Sequence, residues 1–311
     1  MILAAFLLKM KNQIKEFQNK EQLISYLEKF RKKSLFLFVL FIVLASLFGA
    51  SGLALLLVGL IAFTDATQIA LVITGFLCFL AITPSFIIGS LHQVDQYQEL
   101  VFGYFFKYLK KNPEYEDISF NVKADRYVLD KKLIAPLNLK FDYDKLFLIK
   151  GKVKGITFFS VNYQYTTHEK GHPVDRNGRY FQFDASLINQ QLIIRNKVGR
   201  NFFKNVKLSE DIQSESISFN NQFSVSASDK TEGYAFLDAV RVDGLRTVAF
   251  DFQAKPSVFV SPYGVAVCFD DYQTLKIKFT THIDDAFVNS FEREMNLPLR
   301  LAKALEVDKS K

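Results

Sequence analysis

The chain has 311 residues, with 49% hydrophobic side chains, 33 phenylalanines, no tryptophan, two cysteines and a formal net charge of +7. That length implies one or two domains, and two widely separated cysteines exclude a disulfide scaffold. The charge is +5 over residues 1–33, −1 over 34–91 and +3 over the remainder, so the chain lacks the basic stripe that nucleic-acid binding requires.

The N-terminal "MILAAFLLK" is apolar but too short to span a bilayer, and it lacks the basic start of a signal peptide. Met10 is an alternative start. From there Ile14, Phe17, Ile24, Leu27 and Phe30 recur at roughly helical spacing among Lys, Gln, Asn and Glu. The pattern predicts an amphipathic, basic cytoplasmic segment over 1–33 that leads into a membrane.

Ser34 to Phe63 contains no charged residue in 30 positions, and Ala66 to Leu91 none in 26. A helix of ~20 apolar residues crosses the ~30 Å hydrocarbon core at ~1.5 Å per residue. The two runs therefore predict a transmembrane hairpin over 34–91, with helices at about 34–63 and 66–91 and a tip near Asp65. A turn at Gly49–Gly52 would leave a first arm of 15 residues and bury Asp65 in the second arm, so the tip at Asp65 is preferred. The small residues at 49–52 and Gly75 permit close helix approach, and Pro84 is a tolerable kink late in the second run. Cys78 falls within that run. Arg31, Lys32 and Lys33 precede the first span, no Lys or Arg lies at the tip, and Lys107, Lys110 and Lys111 follow the second. This bias places both termini in the cytoplasm.

Composition changes at once after Leu91. "HQVDQYQELVFGYFFKYLKK" predicts a helix that Pro113 stops. Val122 to Pro136 reads as helical. Strands then dominate: "KGKVKGITFFSVNYQYTT", "GRYFQFDASL" from Gly178, "QQLIIRN", and "SISFNNQFSVSASD" with Phe219, Phe223 and Val225 inward. "PSVFVSPYGVAVCF" predicts a hairpin about Pro262-Tyr263-Gly264, and "LKIKFT" alternates cleanly. "EGYAFLDAVRVDGLRTVA" has helical spacing, and a last helix runs from about Asp284 with an interruption before Pro298. Hairpin neighbours with few helices predict an α+β class for the cytoplasmic domain, 92–311, built on a mostly antiparallel sheet.

The order of these segments is informative. Two spans, then "FKYLKK", "KLFLIKGKVKGITFFSVNYQY", "GRYFQFDASLI", "SISFNNQFSVSASDKTEGYAFLDAVRVDGL" and "SVFVSPYGVAVCF" resemble the bacterial family called domain of unknown function 3137. Phe181-Gln182-Phe183-Asp184 and Phe219 through Asp229 occupy its two characteristic strand segments. The resemblance covers most of residues 95–290. It implies a two-span protein of the bacterial inner membrane with a cytoplasmic domain, and it implies no reaction or cofactor.

The chemical motifs are few. "HEKGH" (His168, Glu169, His172) matches the H-E-x-x-H pattern, in which two histidines one helical turn apart hold zinc and the glutamate is general base. The β-rich approach and Gly171-Pro173 oppose that helix, so His168–Gly178 is expected to be a hairpin tip. "GKVKG" at Gly151–Gly155 is not a phosphate loop, because the spacing is wrong. Cys268, His282 and Asp284 are the residue types of a nucleophile, base and orienter, but a small buried cysteine in a strand is an ordinary core residue. Asp270-Asp271 and Asp284-Asp285 suit a strand end and a helix start. The sequence thus predicts no catalytic or metal site and no cofactor. It predicts a bilayer-anchored module that binds a protein or peptide partner, with a membrane-tethered hydrolase as the alternative.

Overall fold

The computed structural model describes residues 17–62, 72–75, 97–121, 131–134, 148–169, 172–198, 202–203, 206–270, 272, 277 and 281–307. The expected strand at 275–280 apart from Ile277, most of the second apolar run with its tip at Asp65, Cys78, Pro84 and most of 122–136 lie outside these residues. The chain divides into two compact units, Met1–Phe105 with Ile277–Val288, and Phe106–Lys276 with Asn289–Lys311.

In the first unit, helix α1 runs unbroken from Lys20 to Ala62, 43 residues. Asn19 starts it, its side-chain carbonyl accepting from Gln22 N at 2.9 Å, which is the usual device for an orphan N–H at a helix start. The expected amphipathic segment from Lys20 onward and the first apolar run as far as Ala62 are therefore one helix; residues 1–16 lie outside the described residues. It also continues through Gly49–Gly52, so no turn forms there. Its early turns bury Leu23, Leu27 and Phe30 at i, i+4 and i+7. The hydroxyls of Tyr26 and Tyr104 meet at 3.0 Å, the Phe17 ring packs 5.2 Å from that of Tyr26, and Phe30 stacks on Tyr97 at 5.7 Å.

The later turns of α1 differ. From Ser34 to Ala62 no position is charged, and nine large apolar side chains between Phe36 and Val58 are well exposed, Phe36 at 66% and Leu47 at 62%. Among the described residues no helix is long and apolar enough to cross a membrane. The backbone of α1 is continuous over all 43 positions.

The second unit is α+β with a nine-stranded, wholly antiparallel sheet in the order β1-β2-β3-β4-β9-β8-β5-β7-β6. The strands are β1 Tyr115–Asn121, β2 Leu148–Val153, β3 Ile156–Glu169, β4 His172–Phe183, β5 Leu192–Asn196, β6 Glu210–Ile212, β7 Phe223–Ala227, β8 Pro256–Ser261 and β9 Gly264–Asp270. Residues 97–109 form helix α2, whose 97–105 belong to the first unit, and α3 spans Lys131–Ile134. The other helices are α4 Ile217–Gln222, α5 Lys230–Phe236, α6 Ala239–Asp251, α7 Asp285–Met295, whose first four residues belong to the first unit, and α8 Leu297–Ala304; residues 72–75 are also helical.

Two sequence expectations are corrected here. "KGKVKGITFFSVNYQYTT" is two strands, because Lys154 and Gly155 both adopt positive φ, 50° and 73°, and such a pair reverses the chain in two residues. "SISFNNQ" is a helix: Ser216 caps α4 by accepting from Phe219 N at 3.3 Å, and the strand begins only at Phe223. The β8–β9 hairpin forms as expected, with Pro262-Tyr263 between the strands.

Register separates the sheet's two faces. Tyr180 pairs with Cys268, Gln182 with Ala266 and Phe259 with Ala266. Of these, Tyr180, Phe259, Ala266 and Cys268 join Val161, Tyr163, Ile193, Phe202 and Phe203 in one core. The alternate positions, Arg179, Phe181 and Phe183 of β4 with Val265, Val267 and Phe269 of β9, fill the other face and are all buried. A sheet covered on both faces loses the inward–outward alternation of a half-buried one, which is why β8 is buried at all six positions.

Candidate binding face

Helix α6 is set by its first residue. Asp238 caps it, accepting from Arg241 N at 2.8 Å, and Asp238 also pairs with the Arg241 guanidinium at 2.5 Å. Arg241 in turn reaches Glu306 at 2.8 Å, which ties the helix start to the end of α8. Val242, Leu245, Val248 and Ala249 face the core. Gly244 lies so close to α8 that a Cβ would stand 2.7 Å from Ala304 Cα. Glycine is required for this approach.

The opposite side of α6 is open. Val240 is 59% and Phe250 83% exposed. Two adjoining clefts of about 740 and 760 Å³ share Asp243, Thr247 and Asp251. Their charges are largely matched: Arg246 lies 3.7 Å from Asp243, Arg300 pairs with Asp251, and Lys303 reaches Glu114 at 3.0 Å. Apolar area with balanced charge suits polypeptide side chains better than a phosphate or a metal ion. Thr247 is the only hydroxyl, and the lining holds no histidine or cysteine.

The histidine motif does not form the zinc-binding helix. Glu169 pairs with His172 and His168 with Pro173 in the β3–β4 hairpin; the hairpin forms as expected, but the tip is shorter than His168–Gly178, because 168–169 belong to β3 and 172–178 to β4. Neighbouring strand positions alternate faces, so positions 168 and 172 belong to opposite faces of the ribbon, whereas a zinc site needs both on one helical face. Cys268 is wholly buried within β9. Asp284 caps α7, accepting from Phe287 N at 2.8 Å, and Asp270 ends β9. No protein-family model, no curated protein and no solved structure matches this chain. Among the described residues no group of three or more His, Cys, Asp or Glu is placed to hold a metal ion.

Sequence reasoning missed two ionic clusters. In the second unit Arg179 of β4, 1% exposed, pairs with Glu294 of α7, 5% exposed. Arg179 Nε donates to Ser160 Oγ at 2.7 Å, its guanidinium lies 5.0 Å from the Phe181 ring, and Tyr272 donates to Glu294 at 2.5 Å. Burial pushes Arg179 down to about 10, which leaves it charged at neutral pH, with Glu294 as counter-ion. A lone arginine inside an apolar strand was the available signal. In the first unit Arg31 grips Glu28 with two bonds, 2.8 and 2.6 Å. Glu28 also accepts from Ile283 N at 3.2 Å, and His282 Nδ1 lies 3.3 Å from Arg31. The Arg31 hydrogen bond, aided by that of Ile283, holds the Glu28 carboxyl at about 2 despite some burial.

Proposed function

We propose that the chain is an integral membrane protein anchored by a helical hairpin over residues 34–91, with both termini cytoplasmic. In this reading its α+β body is a binding or scaffolding module without catalysis, of the kind found in the domain of unknown function 3137 family. The exposed apolar surface of α1 carries the anchoring. Each large aliphatic or aromatic side chain loses ~1.5–3 kcal/mol when fully exposed rather than buried. Nine half-exposed ones would forfeit on the order of 10 kcal/mol in water, as much as the net stability of a whole domain. A bilayer removes that cost. The uncharged 29 residues of α1 extend ~43 Å at ~1.5 Å per residue, enough to cross ~30 Å of hydrocarbon with tilt. Continuity through Gly49–Gly52 supports a tip beyond Ala62.

The α6 face supports the partner reading, since an exposed aromatic beside two clefts with balanced charge fits a protein or peptide. Alkaline carbonate extraction of native membranes tests the anchor: the chain stays in the pellet, and release to the supernatant overturns it. A photoreactive phenylalanine analogue at Phe250 and at Val240 tests the face. Irradiation of intact cells should yield one discrete adduct from these positions and none from exposed Val198. No adduct at either position overturns the partner assignment.

A further inference from the structure

Residues 29–33 read as one basic cluster in the sequence, but the structure divides it. Arg31 is 5% exposed and turned inward onto Glu28. Lys29, Lys32 and Lys33 are exposed. At ~100° per residue, the three lysines and the exposed Phe36, Leu40, Val43 and Leu47 fall within one arc of ~100°. Leu23, Leu27, Phe30, Arg31 and Ser34, all buried, occupy an arc on the opposite side. A single helix face thus changes from three cations to continuous hydrocarbon within one turn, the ~4.5 Å rise from Lys33 to Phe36.

We infer that Lys29, Lys32 and Lys33 form a headgroup site for anionic phospholipid at the point where α1 enters the bilayer. The inference rests on the membrane reading above and adds the ligand chemistry. Lysine stems lie along apolar surface while the ammonium groups reach outward to phosphate. Each such lysine attracts an anionic surface by ~1 kcal/mol, roughly fivefold in relative association. Arg31 contributes none of this, because its guanidinium is committed to Glu28 in a bidentate pair. The attraction is Coulombic and is screened as the Debye length falls from ~10 Å at 0.1 M salt to ~3 Å at 1 M.

The test uses the full chain reconstituted into phosphatidylcholine vesicles carrying trace spin-labelled phosphatidylglycerol or spin-labelled phosphatidylcholine. Electron spin resonance reports how strongly each label is held at the protein boundary. The native chain should favour phosphatidylglycerol by at least fivefold at low salt, and the preference should fall in 1 M salt. K29Q/K32Q/K33Q, which alters only exposed side chains, should bring the ratio to near one. R31Q should keep the native ratio. A triple variant that retains the preference overturns the inference, as does a native chain that reconstitutes without any preference. A native chain that fails to float with vesicles of either composition overturns the membrane reading itself, so the two failures are distinguishable.

Discussion

Glu294→Met isolates the energetics of the buried pair. Arg179 and Glu294 have side chains 1% and 5% exposed, so each neutralises a charge that water does not reach. Removing one partner leaves the other charge uncompensated, at ~3–5 kcal/mol. Tyr272 and Ser160 keep their places but Tyr272 loses its acceptor, a cost of ~1–3 kcal/mol for an unsatisfied buried hydroxyl, partly contained in that figure. For a unit of this size, ~2–4 °C of melting temperature accompanies each kcal/mol, so the single variant should melt ~6–20 °C lower. R179M/E294M removes both charges and restores apolar volume, and it should recover most of the loss, because a buried ion pair and a well-packed apolar pair are close in free energy. The assay is thermal unfolding of the detergent-solubilised chain, followed by circular dichroism of the strand signal, over the four-member cycle of native, E294M, R179M and double variant. If the two single losses simply add in the double variant, Arg179 and Glu294 are not coupled and the reasoning fails.

Glu28 should make the first unit acid-sensitive. Its folded-state pKa of about 2 lies below the ordinary 4.5, so its contribution is fully present above about 4.5 and is lost as pH falls toward 2. The protection factor of the Ile283 amide, its exchange rate relative to the intrinsic rate at the same pH, should fall over that window in the native chain, and a protection factor unchanged from pH 5 to 2.5 would refute the role; E28Q should show the low protection already at neutral pH. Gly178→Ala would set a Cβ 2.5 Å from the Phe269 carbonyl oxygen and against the Tyr163 ring. Overpacking of this kind costs ~1–3 kcal/mol, and an unchanged urea midpoint would refute it. Asp238→Ala removes the α6 cap and should cost ~0.5–2 kcal/mol by chemical denaturation, whereas Asp238→Asn, which can still cap, should cost clearly less.

Elements with a strong local signal were legible. The β8–β9 hairpin follows from two β-branched runs about Pro262-Tyr263, and the break between α7 and α8 follows from Pro298. The helix at Ile217–Gln222 was hidden because Phe219, Phe223 and Val225 satisfy two patterns. Phe219 and Phe223 are four apart, as helix packing requires, and their rings meet at 4.8 Å, while Phe223 and Val225 alternate as in a strand. The Lys154-Gly155 reversal was hidden because its signal is weaker than Asn-Gly or Asp-Gly. The α6 face was half legible: helical spacing marks the helix, but periodicity alone does not say that Val240 and Phe250 stay uncovered.

The sequence by itself determined the long uncharged stretch of α1, the strand-rich body and the non-helical character of "HEKGH", since each depends on neighbours within a few residues. Tertiary structure decided which basic residue turns inward. Arg31, Lys32 and Lys33 are equivalent as letters, and the approach of Glu28 and His282 turns the first inward. It likewise paired Arg179 with Glu294. Burial of a charge is tolerable only where a distant segment brings its counter-charge, and no local pattern encodes that encounter.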